Sequence, residues 1–289
     1  MPNYVRFRGN QNDNQPNIDI GPSPFIWADC PVVQMNNDPN VGFHLYDNFV
    51  DLGLTPTLTT QIAYGKYKAY AVSGGTIAGV SSIGSTERMA GGISLSPGST
   101  AGNGAGISQA YPAAYLSGST STSGKLWFEA SVAVSSIAAN SHNFLLGIGE
   151  TDQWTLGSGV PLTGTGDGIT NSASFVGFLK TTAGAGVVNT AYSDRATSLT
   201  SVLAAATTFS AANTNVKLGM VYDPNLTTNC ISFYVNGIDT GTYISSTTLA
   251  ATTNLKANAV GLICSMCAGS SASTPTTGVR WWRLAQLYA

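Results

Sequence analysis

Acid–base hydrolysis needs two carboxylates held close together on a rigid surface. The candidates in this chain are Glu129, Glu150, Asp152, Asp167, Asp194 and Asp223. None falls in an alternating run of the form E-x-D-x-x-E, which would put carboxylates together on one strand face. Glu150 and Asp152 follow a strand-like run and can share a face; the alternative for them is a solvated loop. The two histidines, His44 and His142, are far apart in sequence, and a hydrogen-bonded structural role is expected of each. Cys264-Ser-Met-Cys267 has a spacing that can mean zinc or redox chemistry. It lies in AVGLICSMCAG, which reads as a buried strand, so its two thiols point to opposite faces. No second pair and no nearby histidine completes a site, and the cysteines read as small buried hydrophobes. No G-x-S-x-G elbow, P-loop or dinucleotide fingerprint occurs. Catalytic residues, metal ligands and cofactors are all expected to be absent, and the chain is not expected to be an enzyme.

Trp127 is more informative. In GKLWFEASVAV (124–134), Leu126, Phe128, Ala130, Val132 and Val134 alternate with Lys125, Trp127, Glu129 and Ser131. One set faces a core and the other faces away. Trp127 is therefore a candidate exposed contact, able to stack on a sugar ring or a partner subunit; the alternative is that a second layer covers it. Trp281-Trp282 must put one indole on each face of a strand. Asn225-Leu226-Thr227 matches a glycosylation sequon, a weak signal without a secretory route.

The elements that position these groups are strands. Val216, Leu218, Met220 and Tyr222 alternate with Lys217, Gly219 and Val221; Asp223-Pro224-Asn225 then turns the chain. Ile231, Phe233 and Val235 mark the next strand. Asn236-Gly237 signals a type I′ hairpin, which needs positive φ at both central residues. Further strands are expected over 42–52, 64–72, 144–149, 174–180, 259–267 and 279–288, with short strands and long loops over 73–124. Leu199, Val202, Leu203 and Ala206 stand at helical spacing, so residues 198–206 form the one helix candidate.

Residues 1–41 differ from the rest. They hold Pro2, Pro16, Pro22, Pro24, Pro31 and Pro39, half of all twelve prolines, among many Asn and Asp. Such a stretch cannot build its own core. It reads as an extended N-terminal arm ahead of a sandwich domain at 42–289. Tyr4, Phe7, Phe25, Trp27 and Val32 are its candidate anchors on a neighbouring subunit. The alternative is an irregular wrap around its own domain. Charged residues make up 9% of the chain, against roughly a quarter in an average soluble protein. A Ser/Thr/Asn/Gly surface suits permanent neutral contacts or a sugar. Net charge is −2, and residues 1–51 carry −4 of charge against +2 in the remainder. With no basic block, nucleic acid is not an expected partner. No apolar stretch is long enough to span a membrane as a helix, and MPNYVRFRGNQ lacks the apolar core of a signal peptide.

Three segments resemble the concanavalin A-like jelly roll of legume lectins and laminarinase-type glucanases. GKLWFEASVAV (124–134) is similar to the glucanase strand G-x-x-x-E-A-x-V. NVKLGMVYDPNLTTNCISFYVNGIDTG (215–241) is similar to the strand pair ending F-Y-V-D-G, and VRWWRLAQLY (279–288) to the closing V-D-Y-V-R-V-Y. The resemblance implies an all-β antiparallel β-sandwich. FLLGIGETDQW (144–154) stands where the glucanase catalytic signature would be sought and lacks it, which argues against hydrolysis. With its low charge and proline-rich arm, the chain most resembles decoration (cement) proteins of tailed-phage heads. That likeness implies a homotrimer on the outer capsid surface, bound to the major capsid protein and bridging neighbouring subunits. The alternative is a carbohydrate- or receptor-binding module of a tail fibre or adhesin, meeting surface glycans through Trp127 and the loop from Asp152 to Asp167.

Overall fold

The computed structural model describes residues 21–50, 62–71, 74–79, 91–117, 123–151, 162, 174–195, 199–271 and 274–289. Among the described residues, sixteen strands and two short helices follow in chain order. They are α1 (Val32–Asn37), β1 (Gly42–Asp47), β2 (Ile62–Tyr64), β3 (Tyr67–Ala71), β4 (Thr76–Gly79), β5 (Ile93–Ser96) and β6 (Gly104–Gln109). Next come β7 (Leu126–Val134), β8 (His142–Gly149), β9 (Phe175–Lys180), β10 (Val187–Asp194), β11 (Leu199–Thr208) and β12 (Val216–Tyr222). The chain closes with β13 (Ile231–Val235), β14 (Ile238–Ile244), α2 (Ser246–Ala251), β15 (Gly261–Ala268) and β16 (Thr277–Leu287).

The strands form two antiparallel sheets. The first runs β14-β13-β12-β7-β16-β5-β4, with β1 also paired to β16; the second runs β11-β10-β9-β8-β15-β6-β3-β2. Sequence-distant strands lie side by side in both, and the last strand is central to the first sheet. Their inner faces meet in one apolar layer that includes Phe128, Leu218, Met220, Phe144 and Phe178. Phe178 of β9 and Phe233 of β13 touch edge to face across the gap, ring centroids 5.7 Å apart. Trp282, Tyr67 and Phe49 pack together at one end of this layer. The expected all-β sandwich is the fold.

Local expectations divide. Asn236 and Gly237 have φ of 51° and 79°, as the β13–β14 turn requires. Trp282 lies in the inter-sheet core while Trp281 is buried on the outer face beside Tyr46. Cys264 faces the inter-sheet core, Cys267 the outer face of the second sheet. Residues 199–206 of the expected helix are instead part of β11, and residue 198 lies outside the described residues. The pairing of β11 with β10 slips twice, so Leu203 and Ala206 both pack against the core although they stand three positions apart. Two bulges turn a period of two into an apparent period of three. Residues 64–71 of the strand expected over 64–72 belong to a hairpin, β2 and β3, turned at Gly65 with φ of 54°, and residue 72 lies outside the described residues. Helix α2 was not anticipated; the Ser245 hydroxyl caps it by accepting from Thr248 N at 3.0 Å. Among the described residues no helix is long and apolar enough to cross a membrane.

Candidate functional site

The described part of the N-terminal segment, residues 21–41, packs on the outer face of its own first sheet. It supplies Ile26, Trp27 and Met35, all buried, which meet Trp127 of β7 and Ala285 of β16. Trp127 is only 1% exposed, so the reading of it as an exposed contact is corrected. Its outward direction follows from strand alternation, but a second layer covers it, and Asp29 of that layer accepts from its Nε1 at 2.9 Å. Burial on both faces leaves all nine residues of β7 inaccessible.

Glu129, beside Trp127 on β7, holds the segment down. Its carboxylate accepts from Ser23 N at 2.8 Å, from Ser23 Oγ at 2.5 Å and from Trp27 Nε1 at 2.9 Å. Burial raises the Glu129 pKa, opposed by the Ser23 and Trp27 donors and by the charge of Lys217. Lys217 itself donates from Nζ to Gly21 O at 3.3 Å. Gly219, paired with Glu129 across β12–β7, leaves the space the segment needs: a Cβ there would stand 2.7 Å from Ile26 Cδ1.

A second anchor joins α1 to β1 and β16. Arg283 lies over the Trp27 ring, 3.9 Å from its centroid, and its Nε donates to His44 Nε2 at 2.9 Å. His44 Nε2 must therefore be the unprotonated nitrogen, so Nδ1–H donates to Asn36 Oδ1 at 3.1 Å. Burial and the Arg283 charge together depress the His44 pKa to about 4, in keeping with that neutral ring. Cys30 is partly covered by the same packing, and burial pushes its thiol up to about 12. At neutral pH it is an unreactive thiol. At the rim, Lys125 bridges Asp29 at 2.7 Å and Asp223 at 3.2 Å.

The candidate anchors fare differently. Trp27 is buried in the segment's own contact with the sheet, and Val32 is half-buried at the start of α1. Phe25 is 68% exposed and leans on Tyr234, ring centroids 6.0 Å apart. Tyr4 and Phe7 lie outside the described residues. Sequence reasoning missed Ser23, Gly219 and Arg283. Each acts only through a partner about a hundred or more residues away or from another strand, so that local pattern could not assign its role.

The described carboxylates weighed for hydrolysis are engaged as acceptors. Asp194 is buried and takes the backbone N–H groups of Thr253 at 2.8 Å, Asn254 at 2.8 Å and Leu255 at 3.0 Å. Glu150 accepts from Ser174 N at 3.3 Å and from Asn258 Nδ2. Asp223 accepts from Asn225 N at 3.0 Å. Asp152 and Asp167 lie outside the described residues, so the pairing of Glu150 with Asp152 does too. His142 is buried at the start of β8; burial and Lys180 depress its pKa to about 3. Among the described residues no group of three or more His, Cys, Asp or Glu is placed to hold a metal ion.

No protein-family model matches the chain, and no curated protein matches it. Likeness is found among solved structures. A protein of unknown function from Shewanella oneidensis MR-1 superposes with a TM-score of 0.54 at 10% identity, over 86% of this chain and 88% of that one. Peanut lectin superposes with a TM-score of 0.51 at 16% identity, over 86% of this chain and 99% of the lectin. Identities this low speak to architecture and not to activity. What this chain shares with the lectin is the all-β, concanavalin A-like sandwich fold.

Proposed function

We propose that the chain is a non-enzymatic structural protein of a virion, decorating and stabilising a phage capsid by bridging neighbouring capsid subunits. The observation that carries this reading is how the carboxylates are used. Glu129, Asp194, Glu150 and Asp223 hold the N-terminal segment and the loops in place. A carboxylate fixed by several donors is a poor proton shuttle and a good structural pin. Low charge and a central strand, β7, buried on both faces suit a rigid shell component. In this proposal Tyr4 and Phe7 are contacts to the major capsid protein, and the assembly is a homotrimer on the outer capsid surface. The test is quantitative mass spectrometry of purified virions from the phage that encodes the chain. Copy numbers comparable to the capsid protein support the proposal; absence from the virion overturns it.

A second reading is a carbohydrate- or receptor-binding module of a tail fibre or adhesin. The observation favouring it is the exposure of Tyr111, at 78%, with Tyr115 and Tyr288, since a tyrosine face can lie under a sugar ring. In the virion count it predicts a handful of copies. It also predicts glycan binding that Tyr111→Ala removes.

A further inference from the structure

On the outer face of the β13–β14 hairpin, Tyr234 and Tyr243 flank one carboxylate, that of Asp239, and Phe25 packs on Tyr234. Phe25 and Tyr234 form an open V, centroids 6.0 Å apart and planes inclined by 54°. Tyr243 stands across from Ser232 in the ladder, and Asp239 across from Tyr234. The Asp239 carboxylate is fixed by its own hairpin: Gly241 N donates to Oδ1 at 2.8 Å and Tyr243 Oη to Oδ2 at 3.0 Å. Those bonds leave lone pairs on both oxygens. The group is open to solvent: Phe25 is 68% exposed and Asp239 is exposed.

Elsewhere this protein fills the same combination of ring face and carboxylate with a cation. Lys125 lies over Trp127, 5.7 Å from the centroid, and pairs with Asp29. Lys66 lies over Tyr67 at 5.5 Å and pairs with Asp47. Arg283 lies over Trp27 at 3.9 Å, with Glu129 in electrostatic reach. At Asp239 no cation of the described residues is paired. The positive charge that acts on Tyr234 is that of Lys125, which Asp29 and Asp223 hold.

We infer that the Phe25–Tyr234–Tyr243–Asp239 platform is a docking site for an arginine or lysine side chain presented by a partner protein. The ring faces attract the cation through their quadrupoles, and the fixed carboxylate accepts its N–H donors. An arginine suits it best, since a planar guanidinium can stack on a ring while bonding the carboxylate with its edge. A single exposed site of this kind is weak. It becomes effective when an oligomer offers several copies to a repeating basic surface, because later contacts form at a high effective concentration.

The test is a titration of the full-length, ¹⁵N-labelled chain with acetyl-Gly-Arg-Gly-amide at low salt, read from backbone amide shifts. The expected result is saturable shifts confined to Asp239, Gly241, Tyr243 and the Phe25 region, with a Kd on the order of millimolar. Asp239→Asn and Phe25→Ala should each weaken binding roughly fivefold, and added salt should weaken it in the wild type. Acetyl-Gly-Gln-Gly-amide should give no shifts. The amide spectra report directly that each variant is folded. Absence of saturable arginine shifts, equal shifts with the glutamine peptide, or an unchanged Kd in Asp239→Asn overturns the proposal. Saturation by methyl glucoside without saturation by arginine also overturns it and makes the platform a sugar site.

Discussion

Replacing Glu129 by alanine should release residues 21–37 from the sheet and leave the sandwich folded. The carboxylate receives three donors, Ser23 N, Ser23 Oγ and Trp27 Nε1. Leaving each buried donor unpaired costs about 1–3 kcal/mol. Two effects reduce the sum. Burial of the carboxylate is itself unfavourable, as the raised Glu129 pKa records, and alanine removes that penalty. The segment can also open, which hydrates the freed donors. The net loss in closing free energy is then about 2–4 kcal/mol, or roughly 30- to 1,000-fold in the closing equilibrium. The Ile26, Trp27 and Met35 contacts remain and set the residual stability of the closed form. Hydrogen exchange by mass spectrometry reads this out peptide by peptide. The amides of Trp27, Cys30 and Met35, bonded to Ser23 O, Trp27 O and Pro31 O, should exchange faster by that factor. Those of β12 and β16 should stay protected, because local opening need not pass through global unfolding. Exchange over residues 23–35 within threefold of wild type would refute the reasoning. So would an acceleration spread equally over β7, β12 and β16.

Three further outcomes follow from the same packing. Gly219→Ala should destabilise the protein by about 1–2 kcal/mol, because its Cβ would sit 2.7 Å from Ile26 Cδ1; denaturant melts should show Ile26→Val recovering part of that loss, and strict additivity would count against the contact. Trp127→Ala should lower stability by about 3–5 kcal/mol, the cost of emptying a buried indole site, whereas an unchanged melting temperature would return Trp127 to the surface. Acid should destabilise the fold between the ordinary histidine pKa of 6.5 and the folded values of about 4 for His44 and about 3 for His142. The sign follows because the unfolded chain takes up these protons first, so stability is complete above 6.5 and is lost as pH falls toward the folded values. Glu129 acts in the opposite sense, its raised pKa favouring the folded state at low pH. Calorimetric melts of His142→Gln should therefore show a shallower loss on acidification, and a slope equal to wild type would contradict the assignment.

Much of the architecture could be read from local patterns. Strand alternation assigned the inward faces of β7 and β12, because a pleat sends successive side chains to opposite sides whatever the rest of the chain does. Asn236-Gly237 placed a hairpin because few other residues tolerate its dihedrals. The spacing of Cys264 and Cys267 ruled them onto different faces for the same reason. Where local pattern misled, a partner strand was the cause: the slipped pairing of β11 with β10 brings Leu203 and Ala206 to one face, and no property of residues 198–206 alone contains that slip.

The face-down chemistry of the N-terminal segment was decided only in three dimensions. Alternation gave the direction of Trp127 and Glu129 but could not say what lies over them, since the cover comes from about a hundred residues earlier in the chain. Glu129 looked like one outward carboxylate among several until Ser23 and Trp27 were found donating to it. Arg283, His44 and Asn36 form a chain of contacts across three elements whose residues are unremarkable in sequence. The ring-and-carboxylate platform likewise joins Phe25 to Tyr234, Asp239 and Tyr243 only because Ser23 seats the segment against Gly237. Short-range sterics and hydrophobic periodicity are written along the chain and can be read there. Hydrogen bonds and charge contacts between distant segments exist only once the sheets have brought those segments together.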